Sequence, residues 1–260
     1  MNAFDVPDPG SFAVLPEQIQ WLDRQLAEAT GRGQSGLLLF HYCPSDLKLG
    51  REQVIELVRK HDARLIDMGH THYNELGNDG RTLYTATRST GQIEEGPAGF
   101  PVTNSDNGIV SWRFLELGDL PAIVITSPGD ERLLTKSDLT DRTAEGNLHV
   151  RAKIRGRAGI DRVQASLQQQ DVPLRQVPGS GIWEGDLPTA AAPDGIYPLR
   201  VPAEDVNGKT AEDSICVLVG TAAVPPRKRF ERDQDNALSA WAEHGLLGTQ
   251  LGPNKNGKKW

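Results

Sequence analysis

The sequence predicts an α/β layer with an appended antiparallel β segment, followed by an all-β sandwich and a short tail. Two observations carry this prediction. Helical and strand patterns alternate over residues 16–68, and from residue 148 onward strand patterns follow one another with only turns between them. Alternating helices and strands are typical of a parallel sheet, whereas a run of short strands is typical of a sandwich. At 260 residues the chain is long enough for two such domains.

Two amphipathic helices are predicted in the first part of the chain. Residues 16–30 carry apolar side chains on one face at helical spacing, and Pro16 occupies a favourable first position. Residues 51–61 repeat the pattern. The apolar positions are Ile19, Leu22, Leu26 and Ala29 in the first helix and Val54, Ile55, Leu57 and Val58 in the second.

Two short strands alternate with these helices. Residues 36–42 (GLLLFHY) and residues 64–68 (RLIDM) are short, almost continuously apolar runs, which are typical of parallel strands buried on both faces. The first run ends at His41, and the second is followed by Gly69 and His70. Because ligands in open parallel sheets bind beyond the carboxyl ends of the strands, we expect both histidine groups at that edge.

Beyond residue 81 the pattern becomes rich in strands. The segments TLYTATR, IVSWRFLEL and AIVIT lie between residues 81 and 126, and the Asn107-Gly108 step with apolar flanks predicts a hairpin. Residues 127–145 are charged and lack periodicity, which indicates a linker. The first domain is therefore predicted to span residues 1–135.

Residues 143–222 are predicted to form the second domain. Its segments LHVRAKI, RVQASLQ, GIWEGDL, GIYPLRVPAED and SICVLVG alternate apolar and polar residues between Gly, Pro and Asp turns. This pattern is typical of an immunoglobulin-like or fibronectin-like sandwich. We expect Trp183 and Tyr197 to fill its core. Residues 223–260 are predicted to form a basic tail.

The charge and hydropathy of the chain argue against some classes of function. A net charge of −7 gives no electrostatic reason to bind nucleic acid or an anionic membrane. No apolar run approaches the roughly 20 residues that span a bilayer. The first residues lack the basic and apolar regions of a signal peptide, so the chain as written is expected to be cytoplasmic. Chemistry on a small molecule is the expected class of function.

Three histidines follow the predicted strands closely enough to share one site. His41 ends the first strand, and His70 and His72 form a His-x-His pair after Gly69. Neutral imidazole is the commonest protein ligand for divalent first-row metals. Gly69, which has no Cβ, allows the backbone to turn sharply towards a bound ion. The sequence therefore predicts a metal site formed by the three imidazoles.

These residues resemble a known family. Trp21-Leu22 in the first helix, the strand end His41-Tyr42-Cys43-Pro44 and the segment Gly69-His70-Thr71-His72 are similar to the last two motifs of calcineurin-like metallophosphoesterases. The resemblance covers residues 12–90. It implies a partial metallophosphoesterase layer in which His41 and His70 ligate one metal of a binuclear centre and His72 the other. The implied metals are Mn, Fe or Zn, and the implied substrate is a small phosphoester.

Three further residues are candidates to support or line this site. Asp67 lies just upstream of the His-x-His pair and is a candidate for a carboxylate that orients a metal ligand. Asn74 follows the pair closely. Arg88 ends the next predicted strand, where a guanidinium is suited to pair with a phosphate oxygen.

The other motifs of the family have no match in the sequence. These are an Asp-x-His motif, a Gly-Asp-x-x-Asp motif and a Gly-Asn-His motif. Without a bridging aspartate, two cations would lie close together with no shared negative ligand. Three interpretations stay open: a chain whose missing motifs lie upstream, a reduced site in which three histidines hold one metal, and a non-catalytic binding protein.

Overall fold

A computed structural model of the chain describes residues 12–72, 74–88, 97–135, 146–220 and 248–250, except for the side chains of Ser45, Thr71, His72 and residues 248–250. The described residues are mainly β-strand, in sheets that are largely antiparallel, with two α-helices. They form two compact units that divide between Ala98 and Gly99, and the strand at residues 248–250 belongs to the first unit.

The first unit contains both α-helices and five strands. In chain order these are α1 (Pro16–Gly31), β1 (Leu37–Leu39), α2 (Arg51–Lys60), β2 (Leu65–His72), β3 (Glu75–Asn78) and β4 (Leu83–Arg88), together with β15 (Gly248–Gln250). A short 3-10 turn at Pro44–Asp46 lies between β1 and α2.

The second unit is a succession of strands. They are β5 (Gly99–Asp106), β6 (Ile109–Glu116), β7 (Ala122–Ser127), β8 (Asn147–Arg155), β9 (Ile160–Leu167), β10 (Gln170–Pro173), β11 (Arg175–Gln176), β12 (Ile182–Pro188), β13 (Gly195–Asp205) and β14 (Thr210–Val219).

The five strands of the first unit form one sheet in the order β1-β2-β4-β3-β15. Strands β1, β2 and β4 are parallel, and β3 and β15 pair antiparallel at the other side. The predicted alternation of helix and strand is confirmed for α1, β1, α2 and β2. The carboxyl ends of β1 and β2 therefore meet at one edge of the sheet, as the sequence predicted.

The helices form where the sequence places their apolar faces. Leu22 and Leu26 of α1 are buried, and so are the four predicted apolar positions of α2. Pro16 lies in the first turn of α1, and the Leu15 amide donates to Gln18 Oε1 at 2.8 Å, which satisfies one amide that the helix start leaves unpaired. These faces join β1 and β2 side chains in one apolar cluster.

The second unit contains two four-stranded antiparallel sheets with a common core. One sheet has the order β11-β12-β8-β7 and the other has the order β10-β9-β13-β14. Side chains at alternate positions of both sheets form a single buried cluster, which includes Val150 and Ala152 from one sheet and Leu199 and Val201 from the other. Alternate burial of this kind is what the sequence pattern predicts for a sandwich.

A hairpin precedes the sandwich strands and belongs to the same unit. Strands β5 and β6 pair with each other around the Asn107-Gly108 turn, which confirms the predicted hairpin. Arg113 of β6 donates to the carbonyl of Ile123 on β7 and forms an ion pair with Asp213 of β14, with 3.0 Å between Nη1 and Oδ1. The Ile125 amide donates to Asp213 Oδ2 at 2.8 Å. These contacts cover part of the edge of β7 with which none of the described strands pairs.

The chain divides earlier than the sequence predicted. The predicted first domain, residues 1–135, is too long, because β7 pairs antiparallel with β8 and buries Ile123 and Ile125 in the sandwich core. The sandwich unit therefore begins well before residue 143. Of the predicted basic tail, residues 223–260, only 248–250 are described, and they form β15 beside β3.

The two aromatic residues predicted for the sandwich core differ in their surroundings. Trp183 is buried, as predicted. Tyr197 is only partly buried, packs against the core and donates its hydroxyl to the Pro193 carbonyl at 2.8 Å. A phenol at the core margin can bury its ring and still satisfy its hydroxyl. Within the described part of the chain, no helix is long and apolar enough to cross a membrane.

Candidate functional site

His41 lies at the carboxyl end of the first strand because the parallel pairing continues past β1. The Phe40 amide donates to the Asp67 carbonyl at 2.9 Å, and the Gly69 amide donates to the His41 carbonyl at 3.2 Å. His41 is thus held beside Gly69 by main-chain bonds. A Cβ added to Gly69 would lie 3.5 Å from His41 Nδ1, so the imidazole lies against this glycine.

His70 lies in an irregularity of β2. The register with β4 shifts between Met68 and His72, so that the residues between them bulge out of the ladder. His70 itself has a φ of 61°, in the left-handed region that residues with a side chain rarely adopt. Bulges of this kind redirect side chains and are common next to functional sites.

The two imidazoles lie close together and are exposed. Their ring centroids are 5.5 Å apart, with an angle of 62° between the planes. Two imidazoles that ligate one tetrahedral ion, with metal–nitrogen bonds of about 2 Å, place their ring centres about 5 Å apart. The separation of His41 and His70 therefore fits two ligands of a single divalent ion.

Two aromatic residues support the imidazoles, and sequence reasoning missed both as site residues. The centroid of the buried Tyr42 ring lies 4.6 Å from the His41 centroid and 4.4 Å from the His70 centroid, and both contacts are T-shaped. Phe12 stacks on Tyr42 with centroids 3.7 Å apart. The position of Tyr42 next to His41 is the only local signal for its role. Phe12 has none, because its approach depends on a distant part of the chain.

His72 is described only by its backbone, in strand β2. Its Cα is the ladder partner of Arg88 at the end of β4. This pairing places the second half of the His-x-His motif beside the predicted phosphate-binding residue. The side chain of His72 lies outside the described atoms.

Asp67 is engaged by a neighbouring strand. Thr85 of β4 donates its hydroxyl to Asp67 Oδ1 at 2.7 Å. Partial burial raises the pKa of the Asp67 carboxyl above its ordinary value, while the bonds from Thr85 and from the Met68 amide oppose this shift. The predicted role in orienting a metal ligand stays a prediction, since the contact that the structure gives Asp67 is with Thr85.

Asn74 and Arg88 are brought together, in a buried position. The Arg88 amide donates to Asn74 Oδ1 at 2.9 Å, and Arg88 Nη2 donates to the Pro97 carbonyl at 2.5 Å. Both side chains are buried. Part of the Arg88 guanidinium is therefore engaged with the main chain at Pro97. The sequence had suggested a guanidinium that could pair with a phosphate oxygen.

The described donors fit a metal ion in part. Imidazole nitrogens suit Mn, Fe and Zn, and the spacing of His41 and His70 fits one such ion. Among the side chains that the structure describes, no group of three or more His, Cys, Asp or Glu is placed to hold a metal. A third ligand from this chain would have to come from a side chain such as that of His72, which lies outside that set.

Comparisons with known proteins add no assignment. No protein-family model matches the chain, and no curated protein does. Among solved structures it is similar to the endo-beta-1,4-mannanase from Thermotoga petrophila, at 13% identity and a TM-score of 0.30, over 82% of this chain and 47% of that one. An engineered protein gives 12% identity and a TM-score of 0.28, over 81% and 48%. The chain spans about half the length of each. TM-scores at this level carry no argument about function.

Proposed function

We propose that the carboxyl edge of β1 and β2 binds a divalent metal ion through His41 and His70, with His72 as a further ligand, for phosphoester hydrolysis of the calcineurin-like metallophosphoesterase type. The observation that carries the proposal is the 5.5 Å separation of the two exposed imidazoles at the ends of adjacent parallel strands. The parallel strands β1, β2 and β4, which share an apolar cluster with both helices, support the proposal, because the resemblance implies a partial α/β layer.

The conformation of His70 supports a role beyond packing. A residue with a side chain in the left-handed region costs on the order of 1 kcal/mol, and such strain is concentrated at functional sites. Here a glycine directly precedes the strained position, yet the histidine occupies it.

Residues of this chain would have different roles in metal binding at this edge. A bound divalent ion supplies Lewis-acid polarisation of a phosphoryl group. His41 and His70 would hold the ion from two strands, and His72 would extend the ligand set towards Arg88. The carboxylate and amide ligands of the family's other motifs are absent from this sequence. The three histidines are therefore proposed as half of a binuclear site.

Metal binding tests the proposal directly. Titration of the purified chain with Co²⁺, followed by visible absorption, is expected to show saturable binding with the spectrum of an imidazole-ligated ion. His41→Ala and His70→Ala are each expected to weaken binding by at least about tenfold. His149→Ala is the matched control, because His149 lies in the second unit, engaged with Asp186 at 2.8 Å. A folded wild-type chain that binds no Co²⁺ would overturn the proposal.

A second candidate function is a metal-dependent binding module without turnover. The sequence has no match to the other catalytic motifs of the family, which favours this candidate. Hydrolysis of a chromogenic phosphodiester with added Mn²⁺ separates the two candidates. Turnover that disappears in His41→Ala supports the hydrolase, whereas metal binding with no turnover under Mn²⁺, Fe²⁺ or Zn²⁺ supports the binding module.

We further infer that the second unit is an immunoglobulin-like sandwich. Its strand orders, β11-β12-β8-β7 and β10-β9-β13-β14, correspond to D-E-B-A and C′-C-F-G of that fold. Tyr197, near the start of the strand that corresponds to F, bonds back to Pro193 as the tyrosine corner of such domains does.

A further inference from the structure

The segment Phe12–Val14 runs beside the connection that leads from the site to α2. The Lys48 amide donates to the Phe12 carbonyl at 2.8 Å, and the Val14 amide donates to the Leu49 carbonyl at 3.0 Å. Ala13 and Leu49 form a parallel bridge between these two bonds. We call residues Phe12–Val14 the strap. Its main-chain bonds fix the position of Phe12 relative to the loop that begins at His41.

Gly50 sets how closely the strap can approach. Its φ is 79°, and a Cβ at this position would lie 2.4 Å from the Val14 carbonyl oxygen and 3.1 Å from Val14 Cβ. The 2.4 Å between this Cβ and the Val14 oxygen is far below any ordinary contact distance. Because that oxygen belongs to the main chain, a side chain at position 50 would displace the strap. A residue without Cβ is required for this approach.

The strap acts on the site through one aromatic ring. Phe12 stacks on Tyr42 with an angle of 25° between the planes, and the ring centroids of Phe12 and His70 are 5.4 Å apart. Tyr42 contacts the imidazoles of His41 and His70 on its other sides. The Tyr42 ring is therefore held between the strap and the two candidate metal ligands.

We propose that Phe12 and Gly50 are positioning residues for the imidazoles of His41 and His70, because the strap fixes Tyr42 and Tyr42 fixes the orientation of both rings. The consequence for metal binding rests on the proposed function. Groups that orient metal-ligating imidazoles contribute about 10–100-fold to metal affinity. The orientation itself is a property of the metal-free chain and is measurable without an ion.

Two variants remove the positioning in different ways. Phe12→Leu keeps the strap backbone and deletes the stacked ring, and Gly50→Ala displaces the strap through its clash with Val14. Gly33→Ala is the matched control, because Gly33 also has a positive φ, of 69°, but a Cβ there meets nothing within 4 Å. Phe12→Tyr restores an aromatic ring and is expected to rescue what Phe12→Leu loses.

The first measurement is the Co²⁺ titration. Phe12→Leu and Gly50→Ala are expected to bind Co²⁺ about tenfold more weakly than wild type with an altered visible spectrum, while Gly33→Ala and Phe12→Tyr bind like wild type. Circular dichroism establishes that each variant is folded, and if Gly50→Ala does not fold, Phe12→Leu still decides the question. Folded variants that all bind like wild type would overturn the positioning role.

The second measurement separates this inference from the proposed function. In the metal-free protein, the Hε1 proton resonances of His41 and His70 report the ring currents of Tyr42 and Phe12. We expect both resonances to move in Phe12→Leu and Gly50→Ala and to stay in place in Gly33→Ala. If wild type binds no Co²⁺, the metal site fails but these resonances still decide the orientation. Resonances unchanged in both variants would overturn the strap's role.

Discussion

Two strands, one from each unit, differ in the side chains that they bury. In the second unit the burial of β8 alternates strictly between apolar core positions and exposed or partly exposed ones. In the first unit β3 is buried at all four positions, although two of them are Glu75 and Asn78. Burying polar groups is costly unless each is satisfied. Strand β3, which pairs antiparallel with β4 in the sheet of the first unit, therefore depends on satisfied polar groups, whereas the buried positions of β8 are all apolar.

Matched deletions in the two cores test whether the units are independent, and their effect is the largest expected. Leu199 and Ile66 are both fully buried, one in each apolar cluster. Leu199→Ala and Ile66→Ala should each lower the free energy of unfolding by about 2–5 kcal/mol. We expect calorimetry to show two transitions, of which each variant lowers one. A single transition shifted by both variants would contradict the comparison.

The ion pair at the edge of β7 gives the next largest effect. Removal of Arg113 leaves the buried Asp213 carboxylate without its charge partner, so Arg113→Leu should destabilise the second unit by about 3 kcal/mol at pH 7. The double variant Arg113→Leu/Asp213→Asn should recover much of this loss, because it removes the stranded charge and keeps an acceptor for the Ile125 amide. No recovery would show that Arg113 acts mainly through its bonds to main-chain carbonyls.

The same pair predicts a dependence on pH. Burial raises the pKa of Asp213 above its ordinary value of 3.8, against the opposing charge of Arg113. The folded chain therefore holds this proton to higher pH than the unfolded chain, and the second unit should lose stability as the pH rises from 3.8 through the raised pKa. Urea unfolding across this range checks the sign, and Asp213→Asn should remove this contribution.

Local patterns in the sequence predicted much of the architecture and part of the site. The sequence predicted the helical period of α1 and α2 and the alternation of β8 and β13, because both patterns depend on neighbouring residues alone. The convergence of His41 and His70 followed from the parallel order of two strands. Pairings between segments that are not neighbours in sequence could not be predicted from local patterns. The sequence analysis therefore missed the pairing of β15 with β3, the contact of the strap with Leu49 and the membership of β7 in the sandwich.

The bulge at His70 was also beyond the sequence pattern. Gly69 suggested a sharp turn at this point, but the positive φ falls on the histidine, where local preference would not place it. Arg88 was a candidate to pair with a phosphate oxygen, and the structure buries it with its guanidinium donating to the carbonyl of Pro97. Both differences lie where tertiary contacts override local preference.

Tyrosine hydroxyls in the two units offer a smaller and matched test. Tyr197 donates to the Pro193 carbonyl at 2.8 Å, whereas Tyr84 of the first unit lies 3.4 Å from Asp79 Oδ2, near the limit of a hydrogen bond. Tyr197→Phe should lower the stability of the second unit by about 1 kcal/mol. Tyr84→Phe should change the first unit less, as measured by urea unfolding. Equal losses would show that these distances do not rank the two bonds.

The contact between α1 and α2 gives the smallest expected effect. Asp23 on α1 accepts from Lys60 at 2.9 Å and lies 2.8 Å from His61 Nε2. The bond with His61, followed by that with Lys60, lowers the pKa of Asp23 below its ordinary value of 3.8. The folded chain therefore releases this proton more readily than the unfolded chain, and the stabilisation is present above pH 3.8 and lost as the pH falls through the lowered pKa.

Asp23→Asn should therefore flatten the acid side of the first unit's stability profile and leave the second unit's profile unchanged. Asp23 is solvent-exposed, so salt should weaken the contribution, as it does for surface ion pairs. Asp62→Asn is the matched control, because its partner Arg81 is 3.5 Å away and both side chains are exposed. The measurement is thermal unfolding at low salt between about pH 2 and 6, which covers about two pH units on each side of the ordinary carboxyl pKa. If the two variants gave the same profile, His61 would not be the source of the shift at Asp23, and the link between the helices would rest on their apolar faces alone.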